Sequence, residues 1–195
     1  MTQSESQRRL SAIMVADVVG YSRMMGEDEM GTVDRLNKLF RTCVQPHISN
    51  HHGRIVKLLG DGLLAEFARA VEAVQSAMAI QDSVAAVNLE HDEPVQLRIG
   101  INLGDIIARG KDIFGDGVNV AARLEALAAP GSICISDAVK SAVGNRVPVG
   151  YAYMGQQSVK NIADPVNVYE VTTGHTTTPG NPVRVQSDLP SIAVL

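Results

Sequence analysis

The apolar positions of this chain gather into short dense runs bounded by glycine, aspartate and proline. Leu10-Ser-Ala-Ile-Met-Val-Ala16 is one such run, and Arg54–Leu58 and Leu63–Phe67 are two more around Leu59-Gly-Asp-Gly62. Runs this short read as buried strands, and the glycine-bearing turn makes the second pair a hairpin. Longer stretches repeat instead at helical spacing. Met30, Val33, Leu36, Phe40 and Val44 mark one face of a helix from about Glu29 to Val44, which Pro46 is expected to end. Val71, Val74, Met78, Gln81 and Val84 mark the inner side of a second, from about Arg69 to Val87. Two strands, Val95–Asn102 and Asp105–Ala108, are read on either side of a Leu-Gly corner. A small-residue helix follows over Asp116–Ala128, then strand Ser132–Ile135, a short helix Asp137–Val143, and strands Tyr151–Met154 and Val166–Val171. Mixed alternation of this kind predicts an α/β (α+β) sandwich, with helices packed on a largely antiparallel sheet.

Composition narrows the classes. At 195 residues the chain can hold one domain with a sizeable core, and 45% apolar with 19% charged residues excludes wholesale disorder. A net charge of −4 and the absence of Trp argue against a nucleic-acid partner. No apolar stretch reaches membrane-spanning length, and the first residues lack a signal-peptide core. Cys43 and Cys134 have no disulfide or metal spacing and read as reduced core thiols of a cytoplasmic protein. From about Thr172 the chain turns to threonine, glycine and proline and reads as a linker. It ends on Leu189-Pro-Ser-Ile-Ala-Val-Leu195, which looks like the first strand of a further domain.

Chemistry concentrates at two aspartates. Asp17 closes the first apolar run and Asp61 sits in the Gly-Asp-Gly turn, so both stand at strand ends, where ligands bind. Two carboxylates brought together make an all-oxygen site for Mg²⁺ or Mn²⁺, ions that bind phosphates. Singly, Asp17 could merely cap a helix starting near Val18, and Asp61 could be a turn residue; it is the pair that points to a cation. The backbone N–H groups of Val18, Val19 and Gly20 could cradle a polyphosphate. Lys57, four residues before Asp61, could pair with it locally or stand in solvent; inside the metal site its ammonium would repel the cation. A site with two sides resolves the conflict, with carboxylates serving one centre and lysine a second across a dimer interface. Asp112 is read in a turn, and Asn119 and Arg123 lie i, i+4 on one helical face. Arginine suits a crowded phosphoryl transition state; the alternative is a surface pair of Arg123 with Glu125 or Glu29. No P-loop motif is present, His51-His52 lacks zinc spacing, and Ser22 and Ser136 lack a histidine partner.

Four segments together resemble the catalytic domain of the class III nucleotidyl cyclases. They are Val-Ala-Asp17-Val-Val-Gly-Tyr-Ser, Gly-Arg-Ile-Val-Lys57-Leu-Leu-Gly-Asp61-Gly, Arg98-Ile-Gly-Ile-Asn-Leu-Gly-Asp and Asp112-Ile-Phe-Gly-Asp-Gly-Val-Asn119-Val-Ala-Ala-Arg123. The resemblance runs from about Arg9 to Val171. It implies a ferredoxin-like, palm-type sheet and a head-to-tail homodimer with active sites shared between protomers. It further implies conversion of ATP to 3′,5′-cyclic AMP and pyrophosphate, for signal transduction, with two Mg²⁺ or Mn²⁺ ions held by Asp17 and Asp61. Lys57 and Asp112 resemble the adenine-selecting pair, where guanylate cyclases carry Glu and Cys. Asn119 and Arg123 resemble the residues that position the ribose and steady the α-phosphate, and Lys160 resembles a phosphate contact, although the family commonly has Gly where Asn161 stands. By the same resemblance residues 1–8 are a tail, 9–171 the catalytic domain, and 172–195 a linker leading to a missing domain. Three rivals stand beside this reading: a degenerate cyclase that only binds nucleotide, a diguanylate cyclase (whose Gly-Gly-Asp/Glu-Glu-Phe signature is absent), and a plain structural domain.

Overall fold

The structure, a computed structural model, describes residues 7–89, 93–158 and 165–172. The chain runs β1 (Gln7–Val18), α1 (Tyr21–Glu27), α2 (Glu29–Leu39), a π-helical turn Phe40–Val44, α3 (Gln45–Asn50), β2 (Arg54–Leu58), β3 (Gly62–Phe67) and α4 (Ala70–Asn88). It continues through β4 (Leu97–Arg109), β5 (Asp112–Phe114), α5 (Asp116–Leu127), β6 (Ile133–Ser136), α6 (Asp137–Val143), β7 (Gly150–Gln157) and β8 (Val166–Thr172). The strands form one sheet in the order β2-β3-β1-β4-β6-β8-β7, with β5 paired to β4. Every pairing is antiparallel except β4 with β6. The first four strands, in spatial order 4-1-3-2 with helical crossovers, form the ferredoxin-like core the sequence predicts.

Side chains alternate across the sheet. Ala12, Met14, Ala16 and Val18 of β1, with Leu63, Ala65 and Phe67 of β3, pack under α2, α3, α4 and α6. Ile13, Val15, Leu64 and Ile106 face the other way, towards Ala121 of α5. With both faces covered, residues 11–16 of β1 and all of β3 are buried, so these strands appear in the sequence as solid apolar runs.

Four details differ from the sequence expectation. Pro46 does not end a helix: the chain widens into the π turn, and Pro46 enters the first turn of α3, where its missing N–H has no helical acceptor to lose. β4 is one strand of 13 residues, because β1 pairs with it without a break from Leu97 to Ala108. Gly104 therefore makes no corner. Asp112 lies in strand β5 rather than in a turn. The buried residues of α4 are Ala70, Ala73, Val74, Ser76, Ala77, Ile80 and Val84, the expected Val71 and Met78 pack part-buried against the same core, and Gln81 donates to Leu97 O at 3.0 Å and Ser132 O at 3.2 Å. Alanines let this helix lie close to the sheet and take places expected of larger residues.

α5 approaches β4 more closely still. A Cβ built on Gly100 would stand 2.1 Å from Glu125 N and 2.3 Å from Ala121 O, so helix backbone rests on strand backbone. Gly100→Ala should therefore destabilise the fold by about 1–3 kcal/mol, the usual cost of overpacking, seen as a lower melting temperature.

Both cysteines are buried free thiols as expected, and burial pushes Cys134 up to about 12. No helix among the described residues is long and apolar enough to cross a membrane. Residues 173–195, with the expected linker and terminal strand, lie outside the described residues.

Candidate active site

Asp17, Arg98 and Gly62 form one row on the α5 face: Asp17 stands opposite Gly62 of β3 on one side and opposite Arg98 of β4 on the other. The β2–β3 turn, with Gly60 at φ 76°, brings Asp61 directly before that row. A side chain at Gly62 would press on Ala16 O at 2.5 Å and Asp17 Oδ1 at 3.1 Å, so only glycine lets the turn seat Asp61 beside Asp17. Burial, and then the Asp17 carboxylate alongside it, push the Asp61 carboxyl above its usual range. Asp17 does not cap a helix, since β1 runs on through Val18 and α1 begins only after Gly20.

Arg98 answers part of this charge. Its Nη2 donates to Asp17 Oδ2 at 3.1 Å, and its Nε lies 3.1 Å from Glu125 Oε1 of α5. The second contact is charge against charge, with neither atom in hydrogen-bond alignment. Burial holds the Glu125 carboxyl above its usual range; Arg98 opposes this, while Asp17 and Asp61 add to it. Three carboxylates thus face one guanidinium. No group of three His, Cys, Asp or Glu side chains at metal-ligand spacing occurs among the described residues.

A second cluster lies where β2 and β5 meet. Lys57 does not pair with Asp61. Its Nζ donates to both carboxylate oxygens of Asp112 at 2.9 Å, bringing β2 and β5 together, and lies 5.5 Å from the centroid of the Phe114 ring. The lysine hydrogen bond is the main reason the Asp112 carboxyl sits below its usual range. The pair thus presents one cationic donor and one anionic acceptor side by side, both partly exposed.

Asn119 and Arg123 share the exposed side of α5, while Ala121, Leu124 and Glu125 turn towards the sheet. Arg123 forms no ion pair among the described residues, and the expected alternative of Glu125 is taken by Arg98. Near Gly20 the cradle is narrower than the sequence suggested: Val19 N–H is engaged by Gln96 O at 2.9 Å and Val18 is buried within β1. The donors left without helical partners are those that open α1. Lys160 lies outside the described residues. His51 Nδ1 lies 2.8 Å from His47 O, and Ser136 Oγ caps α6 by accepting from Val139 N–H.

A family model described as the adenylate and guanylate cyclase catalytic domain matches residues 4–173. The chain belongs to this family. It is 46% identical over 171 residues to putative adenylate cyclase 3 of Rhizobium meliloti (strain 1021), a match covering 87% of this chain and 29% of that protein. Identity is 35% over 135 residues with an adenylate cyclase of Streptomyces coelicolor, covering 67% and 33%. The chain therefore spans about a third of the length of these curated relatives. Among solved structures, an adenylate/guanylate cyclase/hydrolase from Silicibacter pomeroyi superposes with a TM-score of 0.82 at 43% identity, covering 87% of this chain and 99% of that one. The adenylyl cyclase CyaB from P. aeruginosa shares the fold, with a TM-score of 0.78 at 24% identity, covering 87% and 96%.

In this cyclase domain the donor set suits a hard divalent cation. Asp17 and Asp61 offer only oxygen, their charges crowd one another, and a single arginine offsets them in part. Sequence reading assigned no role to Arg98 and offered Glu125 only as a surface partner for Arg123. Arg98 lies within a quoted motif, but its contact with Asp17 spans 81 positions and appears only once β4 pairs with β1.

Proposed function

We propose that this domain is an adenylate cyclase, converting ATP to 3′,5′-cyclic AMP and pyrophosphate at sites built by two copies of the chain. The observation that carries the reading is the Lys57–Asp112 pair. Adenine presents an acceptor at N1 beside a donor amine at C6, and an ammonium next to a carboxylate complements both. Guanine presents the reverse, N1–H and a carbonyl, and would leave both side chains facing like partners.

The arrangement of α5 favours shared sites. Glu125 faces the carboxylates of its own chain through Arg98, and Arg123, two residues earlier and round the helix, points away from them. A second copy placed head to tail would bring its Asn119 and Arg123 to a triphosphate held at Asp17 and Asp61. Divalent ions bound there would supply charge neutralisation and acidify the ribose 3′-hydroxyl. In the reaction O3′ forms a bond to the α-phosphorus, the bond to the β-phosphate oxygen breaks, and the hydroxyl proton passes to solvent. Asn119 orients the ribose and Arg123 offsets charge on the α-phosphoryl oxygens. Arg98, already beside Asp17, adds positive charge where the polyphosphate would lie.

Identifying the product formed from ATP and from GTP, with Mg²⁺ and with Mn²⁺, tests the reading. Cyclic AMP from ATP is the expected result. ATP that binds but is never cyclised, or cyclic GTP as the main product, would overturn it.

A further inference from the structure

Glu66 is a buried carboxylate on the α5 face of β3, only 6% exposed, outside both clusters described above. It accepts from Arg9 Nε at 3.0 Å and from Arg9 Nη2 at 2.7 and 3.0 Å, from Ser11 Oγ at 2.8 Å, and from Arg54 Nε at 2.8 Å. Burial alone would raise the Glu66 carboxyl, but Arg9, Ser11 and Arg54 outweigh it and hold it below the usual range. A buried ion cluster of this kind is weak evidence for stability in itself. Its geometry suggests a different use.

The guanidinium of Arg54 has a second engagement. While Nε is fixed on Glu66, Nη1 donates to Lys111 O at 3.0 Å. Lys111 immediately precedes Asp112. β5 pairs in the sheet with β4 and forms no backbone ladder with β2, so side chains tie it to β2. One tie is Lys57 to Asp112, and it must loosen when both groups turn to a base. The other, Arg54 to Lys111 O, involves neither base-facing group and can remain closed. A free arginine on an edge strand would sample many rotamers. Two acceptors locking one planar fork give it a single orientation.

We infer that Glu66, acting through Arg54 and the Lys111 carbonyl, is a positioning residue that fixes Asp112 for recognition of the adenine amine. The inference rests on the reading of Lys57 and Asp112 given above. A displacement of about 1 Å at Asp112 would forfeit most of that hydrogen bond. The selective loss would be discrimination for the amine, with affinity for the ribose and triphosphate kept.

The test compares binding of 3′-deoxy-ATP with that of the 3′-deoxy triphosphate of purine riboside, which lacks the amine. Neither ligand can cyclise, so affinities are measured by calorimetry on the full chain with Mn²⁺, without turnover. Asp112→Asn calibrates the assay and should reduce the preference for the amine by roughly tenfold or more. Arg54→Lys keeps a charge against Glu66 but has no fork to span Lys111 O, and Glu66→Gln loosens the fork. Both should lose most of the same preference with little change towards purine riboside triphosphate, and neither should add to Asp112→Asn. A purely structural cluster would instead weaken both ligands alike or only lower the melting temperature. Unchanged preference in folded Arg54→Lys, with Asp112→Asn affected, would overturn the positioning role alone. Unchanged preference in Asp112→Asn would overturn the base-selection reading and this inference with it. Should Glu66→Gln fail to fold, Arg54→Lys and Arg54→Gln decide the matter.

Discussion

Asp17→Asn protein should cyclise ATP at least ~10²–10³-fold more slowly than the wild type, at unchanged melting temperature, in an assay of cyclic AMP with Mn²⁺. The substitution keeps the shape of the side chain and leaves the β1 ladder intact, so the fold has little reason to respond. What changes is the charge of a crowded pair. With Asp17 neutral, Asp61 loses the neighbour that helps raise it, Arg98 loses its anionic partner, and on the proposed reading a divalent ion would lose one of its two carboxylate ligands. Arg123→Ala should cost a similar factor for a different reason, because on the proposed reading that side chain, on the exposed side of α5, would serve the transition state in the partner copy's site. Mixing the two inactive proteins then separates shared from self-contained sites. Random two-fold pairing puts one intact site on every mixed dimer, and about a quarter of wild-type activity should return. No recovery, with exchange of subunits demonstrated, would show that each chain builds its own site.

The second large effect concerns the base. Lys57→Glu combined with Asp112→Cys should make GTP the better substrate, read as the ratio of cyclic GTP to cyclic AMP under competition. Each charged hydrogen bond to the base is worth about 1.5–3 kcal/mol, or roughly 10–10²-fold, and the exchange removes two bonds to adenine. Stability should hardly change, since both side chains are more than one-third exposed and a pair so solvated adds little. A variant that still makes mainly cyclic AMP would remove Lys57 and Asp112 from base selection.

Acidification should act on another group. Glu66 is held below its ordinary value near 4.5 when folded, so its contribution is complete above that pH and disappears as the pH falls through the lower folded value. Wild-type stability should fall with falling pH across this window, and Glu66→Gln should flatten that part of the profile.

The core was legible because β1 and β3 are covered on both faces and so appear as continuous apolar runs between turn signals. The candidate site was legible as motifs, since each lies within a single local segment. What escaped were contacts built across the sheet. Arg98 meets Asp17, and Glu66 meets Arg9 and Arg54, without any local pattern to announce them, while the meeting of Lys57 with Asp112 was legible only through the family resemblance. β5 escaped because three residues between glycine-containing turns carry no period, and pairing with β4 alone makes them a strand. Pro46 misled for a physical reason: a proline forbids helix interior, but it welcomes a first turn, and the widened segment before it supplied one.

A helix seated bare on a strand has no cushion. Ordinary interfaces yield when a methyl group rotates aside, but between Gly100 and the stretch from Ala121 to Glu125 there is nothing to rotate. Gly100 stands opposite Val15, two residues before Asp17 on β1, so the bare seat of α5 and the first aspartate are carried by the same pair of strands.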